Sequence, residues 1–182
     1  MRHAEPADYI IKVLDSWWDG RHMSDMLPKL FFEHFRPTRF VAECNDNILG
    51  FIVRFVSQTS SDEAYIHFVG VHPDFRKGGL GRTLYGRFFN ATSKLGCRVV
   101  RCVTSPVNRA PISFHQRMGF VVEPGNTKLW TAFQCLKIMT EWVRTVYCSR
   151  NAKRGQQGTP GDILWDWHRK SGGTCVQNVA EF

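Results

Sequence analysis

Tyr65-Ile66-His67-Phe68-Val69-Gly70-Val71 is an aromatic and β-branched run that leads through His72-Pro73-Asp74-Phe75 into Arg76-Lys77-Gly78-Gly79-Leu80-Gly81-Arg82. The first part alternates as a strand does. The last part is a glycine-rich turn, and beyond it Leu80, Leu84 and Phe88 recur at helical spacing. A helix that starts from such a turn presents backbone N–H groups with no partner of their own. With the positive end of the helix dipole, they suit phosphate oxygens. Glycine is required where a side chain would block the ligand's approach, and Arg76, Lys77 and Arg82 add charge at the rim. A Walker loop is excluded, because no Lys-Ser or Lys-Thr follows the glycines, and the Rossmann spacing is also missing. By itself the turn is better read as a helix cap that happens to contain glycine.

The flanking sequence predicts a mixed α/β layout. Ile10, Ile11, Leu14 and Trp17 or Trp18 give an amphipathic helix over 8–18, ended by Gly20. Ser24-Asp25 cap a second helix with Leu30, Phe31, Phe32 and Phe35 on its apolar face, stopped by Pro37. Residues 39–43 and 48–56 form a hairpin around Asn45-Asp46-Asn47. The glycine-rich helix closes at Gly96, Arg98–Val103 forms a strand, and a helix over Asn108–Met118 ends at Gly119 ahead of Phe120-Val121-Val122.

The chain has 182 residues, enough for one domain with a tail, and 43% of them are hydrophobic, enough for a real core. There is no run of membrane-spanning length and no apolar signal segment behind the N-terminus, so the expected location is the cytoplasm. None of the six cysteines is spaced C-x-x-C and no histidine pair lies beside them, which predicts no metal site and reduced thiols throughout. The net charge of +8 is spread out, with 17 Lys and Arg against 12 Asp and Glu up to residue 128 and 7 against 4 beyond it. Without a dense basic block, a nucleic-acid partner is disfavoured, while a polyanionic cofactor is served equally well.

Two motifs in order make the resemblance specific. Arg76-x-x-Gly79-x-Gly81, preceded by Val71-His72-Pro73-Asp74-Phe75, resembles the R/Q-x-x-G-x-G/A signature and lead-in of the GNAT superfamily of N-acetyltransferases. About 27 residues beyond Gly81, Asn108-Arg109-Ala110 and Phe114-His115-Gln116-Arg117-Met118-Gly119-Phe120 are similar to its second motif, N-x-A…F-Y-x-x-x-G-F. The resemblance covers roughly Met1 to Pro124. It implies a mostly antiparallel twisted sheet flanked by helices, with a splayed central strand pair. It also implies acetyl-coenzyme A as cosubstrate, held by Arg76, Lys77, Gly78, Gly79, Leu80, Gly81 and Arg82 at the pyrophosphate, by the backbone of Val69 and Val71 along the pantetheine arm, and by the side chain of Asn108. The implied acceptor is a primary amine of a small molecule or peptide, and a homodimer is compatible with this reading. The runner-up is a non-catalytic relative that at most binds coenzyme A.

Acetyl transfer needs a neutral amine, and an imidazole suits its deprotonation. Tyr65 and His67 fall where the resembling arylalkylamine N-acetyltransferases carry a His-x-His pair, so the second position alone keeps a histidine. Alternation puts both on one strand face. His115 stands where the family commonly carries the tyrosine that protonates the departing thiolate, and an imidazolium could take over that proton. A backbone N–H near Val69 is the expected oxyanion donor.

After Lys128 the pattern changes. Residues 129–182 hold four of the six tryptophans and three of the six cysteines, and the closing strand pair of the family is hard to find. Back-translated in the frame that begins at each codon's third base, Leu129 to Phe133 permits Val-Asp-Gly-Val-Ser or Val-Asp-Gly-Val-Pro, and Ile138 to Ser149 permits Tyr-Asp-Gly-Val-Gly-Pro-Asp-Arg-Val-Leu-Phe. Met139-Thr140 forces Asp, Trp142-Val143 forces Gly and Tyr147-Cys148 forces Leu. The phrase resembles the closing strands of bacterial GNAT proteins, so the domain is expected over 1–128 and an out-of-frame tail over 129–182. The rival is a genuine appended segment with a helix around Leu136 to Val146, and the coding DNA separates the two.

Overall fold

A computed structural model describes residues 6–35, 39–45 and 47–123, with the backbone of 134–139 and 178–181. The elements are α1 (Pro6–Trp17), α2 (Leu30–His34), β1 (Arg39–Cys44), β2 (Asn47–Val56), β3 (Glu63–Val71), α3 (Leu80–Lys94), β4 (Val99–Thr104), α4 (Arg109–Met118), β5 (Val121–Glu123), β6 (Gln134–Met139) and β7 (Asn178–Glu181). The hydrogen-bonded strand order is β5-β6-β4-β3-β2-β1-β7, with β3 and β4 parallel and the β1–β2, β1–β7, β4–β6 and β5–β6 pairs antiparallel. This is the mixed, mostly antiparallel sheet that the sequence predicts. Among the described residues, no helix is long and apolar enough to cross a membrane.

Two compact units are distinguished, and β2 and β3 each contribute to both. The first comprises Met1–Arg54, Phe68–Phe88 and the C-terminal strand's neighbourhood, Pro160–Phe182. Its core begins with Ala7, Ile10, Leu14 and Trp17 of α1, the three-to-four-residue stripe of a half-buried helix. These pack with Leu27, Phe32, Val41, Phe51 and Phe68. On α3, Leu80 and Leu84 lie over Gly50, where an added Cβ would meet their methyl carbons at 3.4 and 3.2 Å. Arg54 is fully buried, its guanidinium 5.0 Å from the Phe40 ring centre and 5.1 Å from that of Phe88, so a cation lies among apolar groups on two aromatic faces.

In the second unit, Phe55–His67 with Phe89–Thr159, the β3–β4 ladder runs from Glu63↔Val99 to Ile66↔Cys102. Arg101 bridges Glu63 and Glu123 with contacts of 3.1 and 2.8 Å. Phe89 and Phe120 pack at 6.2 Å.

Four expectations are corrected. The second helix over Ser24–Phe35 is instead a 3-10 turn, Ser24–Met26, and the five-residue α2. Pro28 disfavours a helical conformation at Leu27 and separates them. The closing strands missing from the sequence pattern are present in part, because β6 pairs with both β4 and β5, and β7 pairs with β1. Unpaired strand edges recruit backbone without demanding a clean side-chain alternation. The rival helix over Leu136 to Val146 begins in β6, and its remainder lies outside the described residues, as does most of the tail. Cys44 is disulfide-bonded, against the expectation of reduced thiols throughout, while Cys97 and Cys102 are free and buried. Pairing of thiols follows spatial proximity, which spacing along the chain does not show.

Candidate functional site

The glycine-rich turn is entered through a short 3-10 turn, Pro73–Phe75, in which the ring Nδ1 of His72 accepts the Asp74 N–H at 3.2 Å. His72 thereby caps the turn. Lys77 and Gly79 then take left-handed backbone conformations, with φ of 66° and 96°. Such a φ is natural for glycine and strained for lysine, and strain of this kind gathers at functional sites. α3 begins at Leu80, and the Thr83 N–H donates to the Gly79 carbonyl at 3.1 Å. The N–H groups of Leu80, Gly81 and Arg82 lie ahead of that bond, at the helix's open end. The Leu80 side chain is buried, so its part in a site is its backbone N–H. Lys77, Gly78, Gly79 and Arg82 are exposed. Open donors, side-chain-free turn positions and exposed cations together fit a pyrophosphate-bearing group.

Arg76, at the entrance to the turn, directs its guanidinium at two backbone carbonyls. Its Nε–H donates to the Val71 carbonyl at 3.1 Å and an Nη2–H donates to the Trp17 carbonyl at the end of α1.

β3 shows a feature that simple alternation hides. The Ser57 N–H donates to the Glu63 carbonyl, and the His72 N–H donates to the Leu49 carbonyl. Between these two antiparallel bonds β2 advances eight residues and β3 nine, so β3 carries one extra residue, a bulge. Phe55 stacks on Tyr65 at 5.2 Å, and Phe51 on Phe68 at 6.3 Å. Each pair packs on one face of the sheet, yet the pairs are an even number of residues apart on β2 and an odd number on β3, so the facing changes between Tyr65 and Phe68, the stretch that holds His67. The ladder with β4 ends at the same place, at Ile66↔Cys102, although β3 continues to Val71. His67, Val69 and Val71 are all half-buried.

In the second unit Asn108 caps α4, and its Nδ2 donates to the Thr104 hydroxyl at 3.3 Å. His115 is buried, with its ring edge-on to Phe120 at 5.1 Å and to Phe114 at 5.9 Å. Its Nδ1 lies 2.8 Å from the Pro111 carbonyl oxygen, which can only accept, so Nδ1 carries the proton and the neutral ring leaves Nε2 as an acceptor. Desolvation lowers its pKa, with the Pro111 bond opposing. The unfolded chain then binds a proton more readily than the folded one. The folded state should therefore hold its full stability above about pH 6.5 and lose part of it as pH falls toward the lowered value. Chemical denaturation at pH 7.5 and 5.5 should show a smaller acid loss for His115→Phe than for the native chain, and equal losses would refute the assignment.

The loop residues, Val69 and Val71 belong to the first unit, and Tyr65, His67, Asn108 and His115 to the second. The link from Arg76 to Trp17 is absent from the sequence reading, because a backbone carbonyl as acceptor leaves no mark in the residue pattern.

Comparison with known proteins agrees with this geometry. The uncharacterized N-acetyltransferase MJ1207 of Methanocaldococcus jannaschii is 34% identical over 85 residues, which cover 44% of this chain and 38% of the relative. The L-amino acid N-acyltransferase MnaT of Escherichia coli is 36% identical over 67 residues, covering 37% and 39%. The matched stretch is therefore about two-fifths of each relative's length. A crystal structure of a candidate GNAT-family acetyltransferase from Desulfovibrio desulfuricans shares the fold, with a TM-score of 0.64 and 19% identity over 74% of this chain and 92% of the other. The family model described as "Acetyltransferase (GNAT) family" matches residues 7–120, most of the chain including both motifs, and the chain belongs to that family.

Proposed function

We propose that this chain transfers the acetyl group of acetyl-coenzyme A directly to a primary amine of a small molecule or peptide. The observation that carries the reading is the open end of α3 behind the left-handed Lys77 and Gly79, inside a family-matched segment. When bound, acetyl-coenzyme A supplies the thioester-activated acetyl group. The N–H groups of Leu80, Gly81 and Arg82 hold its pyrophosphate with Gly78 and Gly79, and Lys77 and Arg82 add charge. A ring nitrogen of His67 takes the proton of the acceptor ammonium. A backbone N–H near Val69, just past the bulge, is the donor for the developing oxyanion. Similarity to MnaT supports an α-amino acceptor among small molecules. His115 fits packing better than proton donation, since its proton lies on Nδ1 against Pro111 and burial disfavours the imidazolium.

A thermal melt with acetyl-coenzyme A tests this. At about a hundred times its dissociation constant the ligand should add roughly 2.7 kcal/mol to the native state. Thiol release should then follow when amines are added. A cooperative melt that ignores the cofactor would overturn the reading.

A further inference from the structure

We propose that Arg76 is a positioning residue, tying the end of α1 to the entrance of the phosphate loop rather than contacting the phosphates. The inference rests on the cofactor reading above, yet its own evidence is geometric. Trp17 ends α1, where carbonyl groups lack intrahelical partners and a cation is favoured by the helix dipole. The planar guanidinium reaches that carbonyl through Nη2 and the Val71 carbonyl through Nε, so one rigid fork joins two segments 59 residues apart in sequence. A second contact runs parallel to it. The Trp17 ring, itself buried, meets the edge of His72 at 5.3 Å, and His72 meets Phe75 at 5.5 Å. The lead-in 71–76 is therefore held against α1 through both backbone carbonyls and rings. The Val71 carbonyl direction, and with it the start of the loop, is set by a side chain that the signature alone would assign to the ligand.

Two arms test this on the full chain, using Arg76→Gln and the more conservative Arg76→Lys. Amide hydrogen exchange without ligand should rise about tenfold at Trp18, Gly20 and Arg76 together in Arg76→Gln, with β1 and β2 unchanged. Lysine, a single point donor, should rescue this only in part. Calorimetric titration should show Arg76→Gln weakening coenzyme A and acetyl-pantetheine, which lacks the pyrophosphate, by a similar factor of about ten. Unchanged exchange would overturn the inference, and a loss confined to coenzyme A beside it would make Arg76 a phosphate ligand. A native chain that binds neither compound would instead overturn the cofactor reading, while the exchange arm still decides the tie.

Discussion

Gly79→Val should weaken acetyl-coenzyme A binding by at least about a hundredfold, equivalent to roughly 2.7 kcal/mol. Two effects combine. At a φ of 96° a β-branched residue is far outside its comfortable region, at a cost on the order of 1–3 kcal/mol. Relief of that strain would turn the Leu80 and Gly81 N–H groups away from a common point, and the new methyl groups would occupy the approach to them. Gly96 provides the control. It lies just past the opposite end of α3 with a φ of 83°, and an added Cβ there meets nothing within 4 Å. Gly96→Val should therefore lose stability by a comparable amount and leave the dissociation constant unchanged. Titration calorimetry with melts of both variants separates strain from site. Equal binding by Gly79→Val and the native chain would remove the loop from the cofactor's path.

Much of this arrangement was legible in the sequence because it is written in residue types with local consequences. Glycines mark the turn, β-branched runs mark β2 and β3, and a three-to-four-residue stripe marks α1. What escaped depends on partners distant along the chain. The fork of Arg76 is satisfied by two carbonyls, one of them 59 residues away. The bulge in β3 depends on a register between strands, which alternation within one strand cannot reveal. The parity that places Tyr65 and His67 on one face therefore extends to Val69 only if the strand is regular, and between Tyr65 and Phe68 it is not. The two strands of the tail were missed for a similar reason, since their pairing is set by edges that β1, β4 and β5 offer. For His115 the residue type was visible, but its lowered pKa follows from burial, which outweighs the opposing bond to Pro111.

The second large effect concerns His67, and its size should depend on pH in a way that identifies the acceptor. If an imidazole removes the ammonium proton, His67→Gln should lower kcat/KM at neutral pH by about 10²–10³-fold. The variant would then acetylate only the fraction of amine already neutral in solution. Its rate should climb about tenfold per pH unit and level off at the acceptor's own pKa. That plateau would come near pH 8 for a peptide's terminal α-amino group and above pH 10 for a lysine side chain, following their ordinary values of about 7.7–8.0 and 10.4. The native profile should be flatter over the same range. A variant slowed by one factor at every pH would mean that the glutamine merely disturbs the bulge, and a variant with native rates would leave the base to another group. Tyr65→Phe distinguishes the neighbour's part, since the phenyl ring keeps the stack on Phe55 and loses the hydroxyl alone. If its profile follows the native one while that of His67→Gln follows free amine, proton removal resides at the bulged position of β3, one residue past the point where β4 stops pairing.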